Sequence, residues 1–184
     1  MRFSITYGQL FTLITLVWTA VSFVLYARLD EVRRAQIWRW LCVYICLVVI
    51  ARFVYFPWHL DSAGRIAPLH FDTARILPLR LNLLPFVHLF EHYEGWLRNL
   101  IGNIAMFIPV GIFWPLCFGK LNRVWKVVLA GFGYSLLIEL SQLLFYERST
   151  DIDDLLCNTL GALLGALLFF LIRAIRRKRK ERQA

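Results

Sequence analysis

The sequence predicts an all-α fold: a polytopic transmembrane helical bundle of about five spans, with an interfacial or re-entrant segment on its outer face. Three observations carry this expectation. The 184 residues are 59% hydrophobic and only 18% charged, and their mean hydropathy of +0.60 lies outside the soluble globular range. Five stretches approach the roughly 20 apolar residues with which a helix crosses a bilayer, where only a helix or a closed barrel satisfies its own backbone. The Lys and Arg residues cluster where those stretches end, so the formal net charge of +9 fits a membrane surface and not nucleic acid. The chain reads as one integral membrane domain over 1–184, with a basic tail at 173–184.

The first stretch, 5–27, is too long for the apolar region of a secretory signal, and its positive charge follows it (Arg28, Arg33, Arg34) more than it precedes it (Arg2). It is expected to stay in the mature protein. The second span is 37–57. Next comes a mixed segment, 58–99, that holds all four histidines; it is too apolar for a free loop and too interrupted by Pro78 and Pro85 for a span. Leu, Ile and Phe interleaved there with Arg75, Arg80 and His88 suit an element lying in the outer interface. Three further spans follow at 100–118, 124–146 and 155–172. Cys42, Cys46, Cys117 and Cys157 sit in or beside apolar runs and imply neither disulfides nor a metal framework.

Orientation follows from the cations. A cytoplasmic tail and five crossings put 28–39 and 119–126 inside as well, and these three regions hold 14 of the 21 Lys and Arg residues. The outer segments hold eight acids and six cations. The N-terminus is therefore expected outside and the C-terminus in the cytoplasm.

Polar residues interrupt the last spans at helical spacing. Ser135, Glu139, Gln142 and Tyr146 share one face of the fourth, and Asp151, Asp154, Asn158, Gly161 and Gly165 step by three and four along the fifth. Asn99 and Asn103 lie one turn apart at the third. At about 1.5 Å per residue, Glu139 falls roughly 10 Å inside the outer end of its span and Asn103 and Asn158 roughly 5 Å, so the three helices bring polar groups to one layer. Arg52 falls in that layer too, either as an ion-pair partner of Glu139 or snorkelling outward beside Tyr55 and Trp58. Gly161, Gly165, Ala162 and Ala166 make small-xxx-small patterns that serve helix packing, and a homodimer through these glycines would enlarge the site. A carboxylate at Glu139 costs a few kcal/mol to insert, and such residues usually mark a site or a polar pathway.

The ordered fragments LNLLPF (81–86), NIAMFIPVG (103–111), IELSQ (138–142), then Arg148, Asp151 and Asp154 as R-x-x-D-x-x-D, and Asn158, Thr159, Gly161 and Gly165 as N-T-x-G-x-x-x-G, resemble the VanZ-like membrane proteins over roughly 80–172. The resemblance implies a bacterial cytoplasmic-membrane protein linked to reduced susceptibility to the lipoglycopeptide teicoplanin, whose target is the lipid-linked cell-wall precursor. It brings no established reaction. Carried over by position, it marks Asn82, Pro85, Asn103, Pro109, Gly111, Glu139, Gln142, Arg148, Asp151, Asp154 and Asn158, with Pro109, Gly111, Gly161 and Gly165 serving helix packing. The expected partners are the lipid bilayer and a lipoglycopeptide or lipid-linked precursor met at the outer leaflet.

Other chemistry is weaker. HLFEH (88–92) has the H-x-x-E-H spacing of an inverted zinc peptidase, but the third ligand is missing and aromatic-belt packing accounts for His88 and His92, so no metal or cofactor is expected. An intramembrane enzyme would use Glu139, Asp151 and Asp154 near Arg148 on a lipid-linked substrate, and a proton-coupled transporter subunit would use Glu139 as relay. No serine, cysteine or histidine stands in a recognisable nucleophile setting beside those acids.

Overall fold

The computed structural model describes residues 2–28, 38–56, 64–72, 81–85, 95–145 and 148–183. Five helices dominate them: α1 (Tyr7–Arg28), α2 (Trp38–Tyr55), α3 (Trp96–Cys117), α4 (Val124–Gln142) and α5 (Ile152–Glu181). Short strands β1 (Arg2–Ile5) and β2 (Leu69–Asp72) form one antiparallel pair, and β3 (Leu81–Asn82) pairs with β4 (Thr150–Asp151). The all-α membrane class expected from the sequence is the class observed. Four helices are long and apolar enough to cross a membrane, and α2, with 18 residues, is the shortest of the five.

Two compact units divide the chain. The first comprises Met1–Asn82 and Glu139–Thr150, the second Leu83–Ile138 and Asp151–Ala184. Helix α4 is continuous through both assignments, its last turn belonging to the first unit.

In the first unit, the chain enters as strand, not helix. Residues 2–5 pair with 69–72, Phe3 stacking on Phe71 at 4.7 Å. Helix α1 then starts at Tyr7 because Thr6 and Gln9 form a capping box: the Thr6 amide donates to Gln9 Oε1 at 2.8 Å and the Gln9 amide to Thr6 Oγ1 at 3.3 Å. Helix α1 packs on α2 through Trp18, whose indole N–H donates to the Trp40 carbonyl at 3.2 Å, and on the residue that follows α2 through Tyr7 against Phe56. Thr15 gives its proton to the Phe11 carbonyl, so the 2.8 Å contact with Tyr44 is a bond that the tyrosine donates. The outward face of α1 is Leu, Val and Phe, with Phe23 74% exposed, a surface suited to acyl chains.

In the second unit, α3 and α5 run parallel in near-backbone contact. A Cβ added at Gly161 would strike the Ile104 carbonyl oxygen, one at Gly165 the Ile108 carbonyl oxygen, and one at Gly111 the Ala162 carbonyl oxygen and, at 2.7 Å, the Ala166 amide. Helix α4 closes on the same stripe in the opposite direction, leaving 2.5 Å between Ala162 Cβ and a Cβ built on Gly131. Without a hydrophobic force between helices in lipid, dispersion at this range is what holds them, and it requires small residues. Phe107, Val110, Val127, Ala162 and Ala166 are wholly buried around the contact. Pro109 and Pro115 lie inside α3, where each removes one helix hydrogen bond.

Helix α5 exceeds the span 155–172 expected from hydropathy at both ends. Asp151 caps its start, accepting from the Asp153 amide at 2.9 Å, and the helix continues through the basic tail to Glu181. An Arg177 to Glu181 ion pair one turn apart at 2.8 Å and three cations in the last turn favour that extension through the helix dipole.

Candidate functional site

Each unit holds a cluster of polar side chains within otherwise apolar helices. In the second unit, the centre is Asp154, in the first turn of α5. Asn103 Nδ2 donates to Asp154 Oδ1 at 2.5 Å, and Asn99 Nδ2 reaches the same oxygen at 3.2 Å. Both asparagines come from one face of α3, because residues four apart on a helix stack above one another. One turn deeper on α5, Asn158 donates Nδ2 to Ser135 Oγ of α4 at 2.9 Å. Asn158 and Ser135 are almost completely buried, and Asn103 is 6% exposed. These bonds tie α5 to both neighbours and give the Asp154 carboxylate two donors in place of water.

The first unit's cluster gathers at the end of α2. The last carbonyls of a helix have no partner within it. Here Gln142 Nε2 donates to the Val54 carbonyl at 3.2 Å and Arg148 Nε to the Tyr55 carbonyl at 2.9 Å. A cation at that terminus also faces the negative end of the helix dipole. The Tyr55 hydroxyl is hydrogen-bonded to Ser141 Oγ, and the Thr150 hydroxyl donates to the Glu139 carbonyl at 2.7 Å, so the end of α4 is satisfied in the same way. Glu139, in the same unit, is 2% exposed. Arg52, on the same helix as Tyr55, lies over the rings of Tyr7 and Phe53 at 5.8 and 5.5 Å and donates to the Phe56 carbonyl at 3.5 Å.

Of the residues marked in the sequence, Asn103, Asp154 and Asn158 stand in the second unit, and Glu139, Gln142, Arg148 and Arg52 in the first. Asp151 is the α5 cap, Asn82 is half-buried in β3, and Pro85 is exposed. Pro109, Gly111, Gly161 and Gly165 lie in the α3 and α5 helices of the second unit. HLFEH, Arg75, Arg80 and Tyr146 fall outside the described residues. Sequence reading missed Tyr55, Ser141 and Thr150 as members of the first cluster. A tyrosine hydroxyl near an apolar helix end needs a partner, a signal that would have found Tyr55; Ser141 and Thr150 sit off the helical stripe and gave none.

Two buried side-chain amide oxygens lack a partner among the described residues: Gln142 Oε1 in the first unit and Asn158 Oδ1 in the second. Both belong to nearly inaccessible side chains, 4% and 1% exposed. An unsatisfied buried acceptor costs about 1 to 3 kcal/mol, so each is a place where an N–H or O–H donor would be held.

Comparison with known proteins gives these clusters a context. Protein VanZ of Enterococcus faecium is 34% identical over 89 residues, covering 48% of this chain and 52% of that protein. The chain thus spans about half the length of the curated relative it matches. No solved structure matches. The VanZ/LLP1 family model matches residues 41–173, from α2 through the apolar part of α5, taking in both polar clusters, and the chain belongs to that family.

Proposed function

We propose that this VanZ-like membrane protein acts at the outer leaflet of a bacterial cytoplasmic membrane, without catalysing a reaction, to alter the access of a lipoglycopeptide such as teicoplanin or of the lipid-linked cell-wall precursor. The observation that carries the reading is the pairing of family membership with buried polar side chains in apolar helices: Asn103, Ser135, Glu139, Gln142 and Asn158 are all less than a tenth exposed. Polar groups at such depth are retained for a task or for helix contacts. The unpartnered acceptors at Gln142 and Asn158 supply what a sugar hydroxyl or peptide amide would bind. An ion pair between Arg52 and Glu139, both in the first unit, belongs to this proposal.

The test compares a strain lacking the protein with one overproducing it, measuring binding of fluorescent teicoplanin to intact cells and growth inhibition. Overproduction is expected to lower both binding and sensitivity; identical curves in the two strains overturn the reading. Lipid extracts from wild type and Glu139→Gln strains should carry the same species, and a lipid product that disappears in the variant would mean an enzyme instead.

A further inference from the structure

The second unit has opposite charge at its two ends. Asp151, Asp153 and Asp154 stand at the start of α5. The other end can be located from helix register. Ile104 meets Gly161 and Ile108 meets Gly165, so α3 and α5 advance together, and at 1.5 Å per residue the end of α3 comes level with about residue 174. Gly131 meets Ala162 and Ser135 meets Asn158, so α4 runs the other way, and its first turn comes level with about residue 169. The turn joining α3 to α4 therefore lies beside the stretch of α5 where apolar residues give way to basic ones.

That turn and the start of α4 carry Lys120, Arg123 and Lys126, and α5 with its capping residue Arg182 carries seven Lys and Arg residues from Arg173 on, against one acid, Glu181, which is paired with Arg177. Every residue from 171 to 183 is exposed. Trp125, 55% exposed with the Lys126 ammonium 5.7 Å from its ring centroid, adds the amphipathic aromatic side chain typical of a membrane interface.

We propose that these two segments form a single binding surface for the phosphate headgroups of anionic phospholipids in the leaflet they meet. The position selects this ligand over a soluble polyanion. Residues 152–172 cover about 30 Å, a hydrocarbon thickness, so Arg173, Arg176 and Arg177 emerge at the depth of lipid phosphates. Arg176, Arg177 and Lys180, with Arg173, share one helix face at spacings of three and four, presenting a row of cations toward the headgroups. Lys180 and Arg182 stand one to two turns farther out, within reach of the surface potential at low salt. Guanidinium groups grip phosphate oxygens in pairs, and each basic side chain near an anionic surface strengthens binding about fivefold.

The full-length chain, purified in mixed micelles with equal phosphatidylcholine and phosphatidylglycerol, tests this by quantifying the lipid that remains bound. Phosphatidylglycerol is expected to be retained at least about fivefold over phosphatidylcholine in about 0.05 M salt, with most of that preference lost in about 0.5 M. Inorganic phosphate at matched ionic strength should leave it unchanged; displacement would mean a free-phosphate site and overturn the assignment. Combining Arg176→Gln, Arg177→Gln, Lys178→Gln, Arg179→Gln and Lys180→Gln should abolish the preference, and the corresponding lysine-for-arginine variant should keep most of it. The glutamines preserve helix propensity at exposed positions, so a loss reports charge and not unfolding. Lys120→Gln, Arg123→Gln and Lys126→Gln together should reduce it severalfold. No change in the first variant refutes the lipid surface, and no change in the last refutes its construction from two segments.

Discussion

A carboxylate next to lipid is stable only if its neighbours replace water, and at Asp154 the replacement can be named atom by atom. Asn103 contributes the shorter bond and is the more buried of the two donors. Asn103→Leu should therefore destabilise the protein by about 1 to 3 kcal/mol, since it strands part of a buried acceptor. Asn99→Leu should cost less, because Asn99 is exposed and water takes its place. Thermal unfolding in detergent measures both. The double variant Asn103→Leu, Asp154→Leu should recover much of the loss, because removing both partners leaves no orphaned group; additive losses would mean that the two residues act separately. Each of the two residues was legible in the sequence as a polar group at helical spacing in apolar surroundings, but their pairing was not. Nor was the bond that Arg148 makes to α2. A guanidinium three residues from an acid reads as an ion-pairing or phosphate-binding group, and its Nε also donates to a backbone carbonyl of α2 93 positions earlier. Side chains that close helix ends far away in sequence leave no periodic trace.

At the scale of elements, hydrophobic runs located the helices, and local hydrogen bonding set their ends. Thr6 with Gln9 delays α1, and Asp151 advances α5, neither of which changes hydropathy. The basic tail was legible as charge but not as helix, because its ion pair and dipole complement are only seen once α5 is followed through. The α3 and α5 interface gives the sharpest prediction here. At Gly165 a side chain meets the Ile108 backbone, which cannot rotate away, so Gly165→Leu should separate the helices or prevent assembly. Gly133, with nothing within 4 Å of an added Cβ, is the control: Gly133→Ala should be neutral or slightly stabilising through helix propensity. Expression yield and melting temperature in detergent distinguish them, and equal tolerance at the two positions would contradict the close packing.

For the whole molecule, topology turns on α2. Its 18 residues give about 27 Å, close to the hydrocarbon thickness, and it carries Arg39 near one end and Arg52 near the other, where long side chains reach the interface. If α2 crosses, the cation-rich segments 28–39, 119–126 and 173–182 all lie on one side, as the cation distribution of bacterial membrane proteins requires. If it lay on the surface, 28–39 would be one crossing from 119–126 and three from the tail, and so opposite both whichever way the chain faces. The five-span arrangement is therefore the one we predict. Single cysteines, introduced into a variant in which the four native ones are replaced by serine or alanine, decide it with a membrane-impermeant maleimide on intact cells. A cysteine at exposed Ser149 should label from outside and cysteines at exposed Lys120 and Gln183 only after the membrane is opened; one at exposed Ser4 should label from outside if α2 crosses and only after opening if it does not. Labelling of position 149 from the cytoplasmic side would remove the outer-leaflet site, and with it the proposed encounter with teicoplanin, while leaving the phospholipid surface at the opposite end of α5 to be judged on its own.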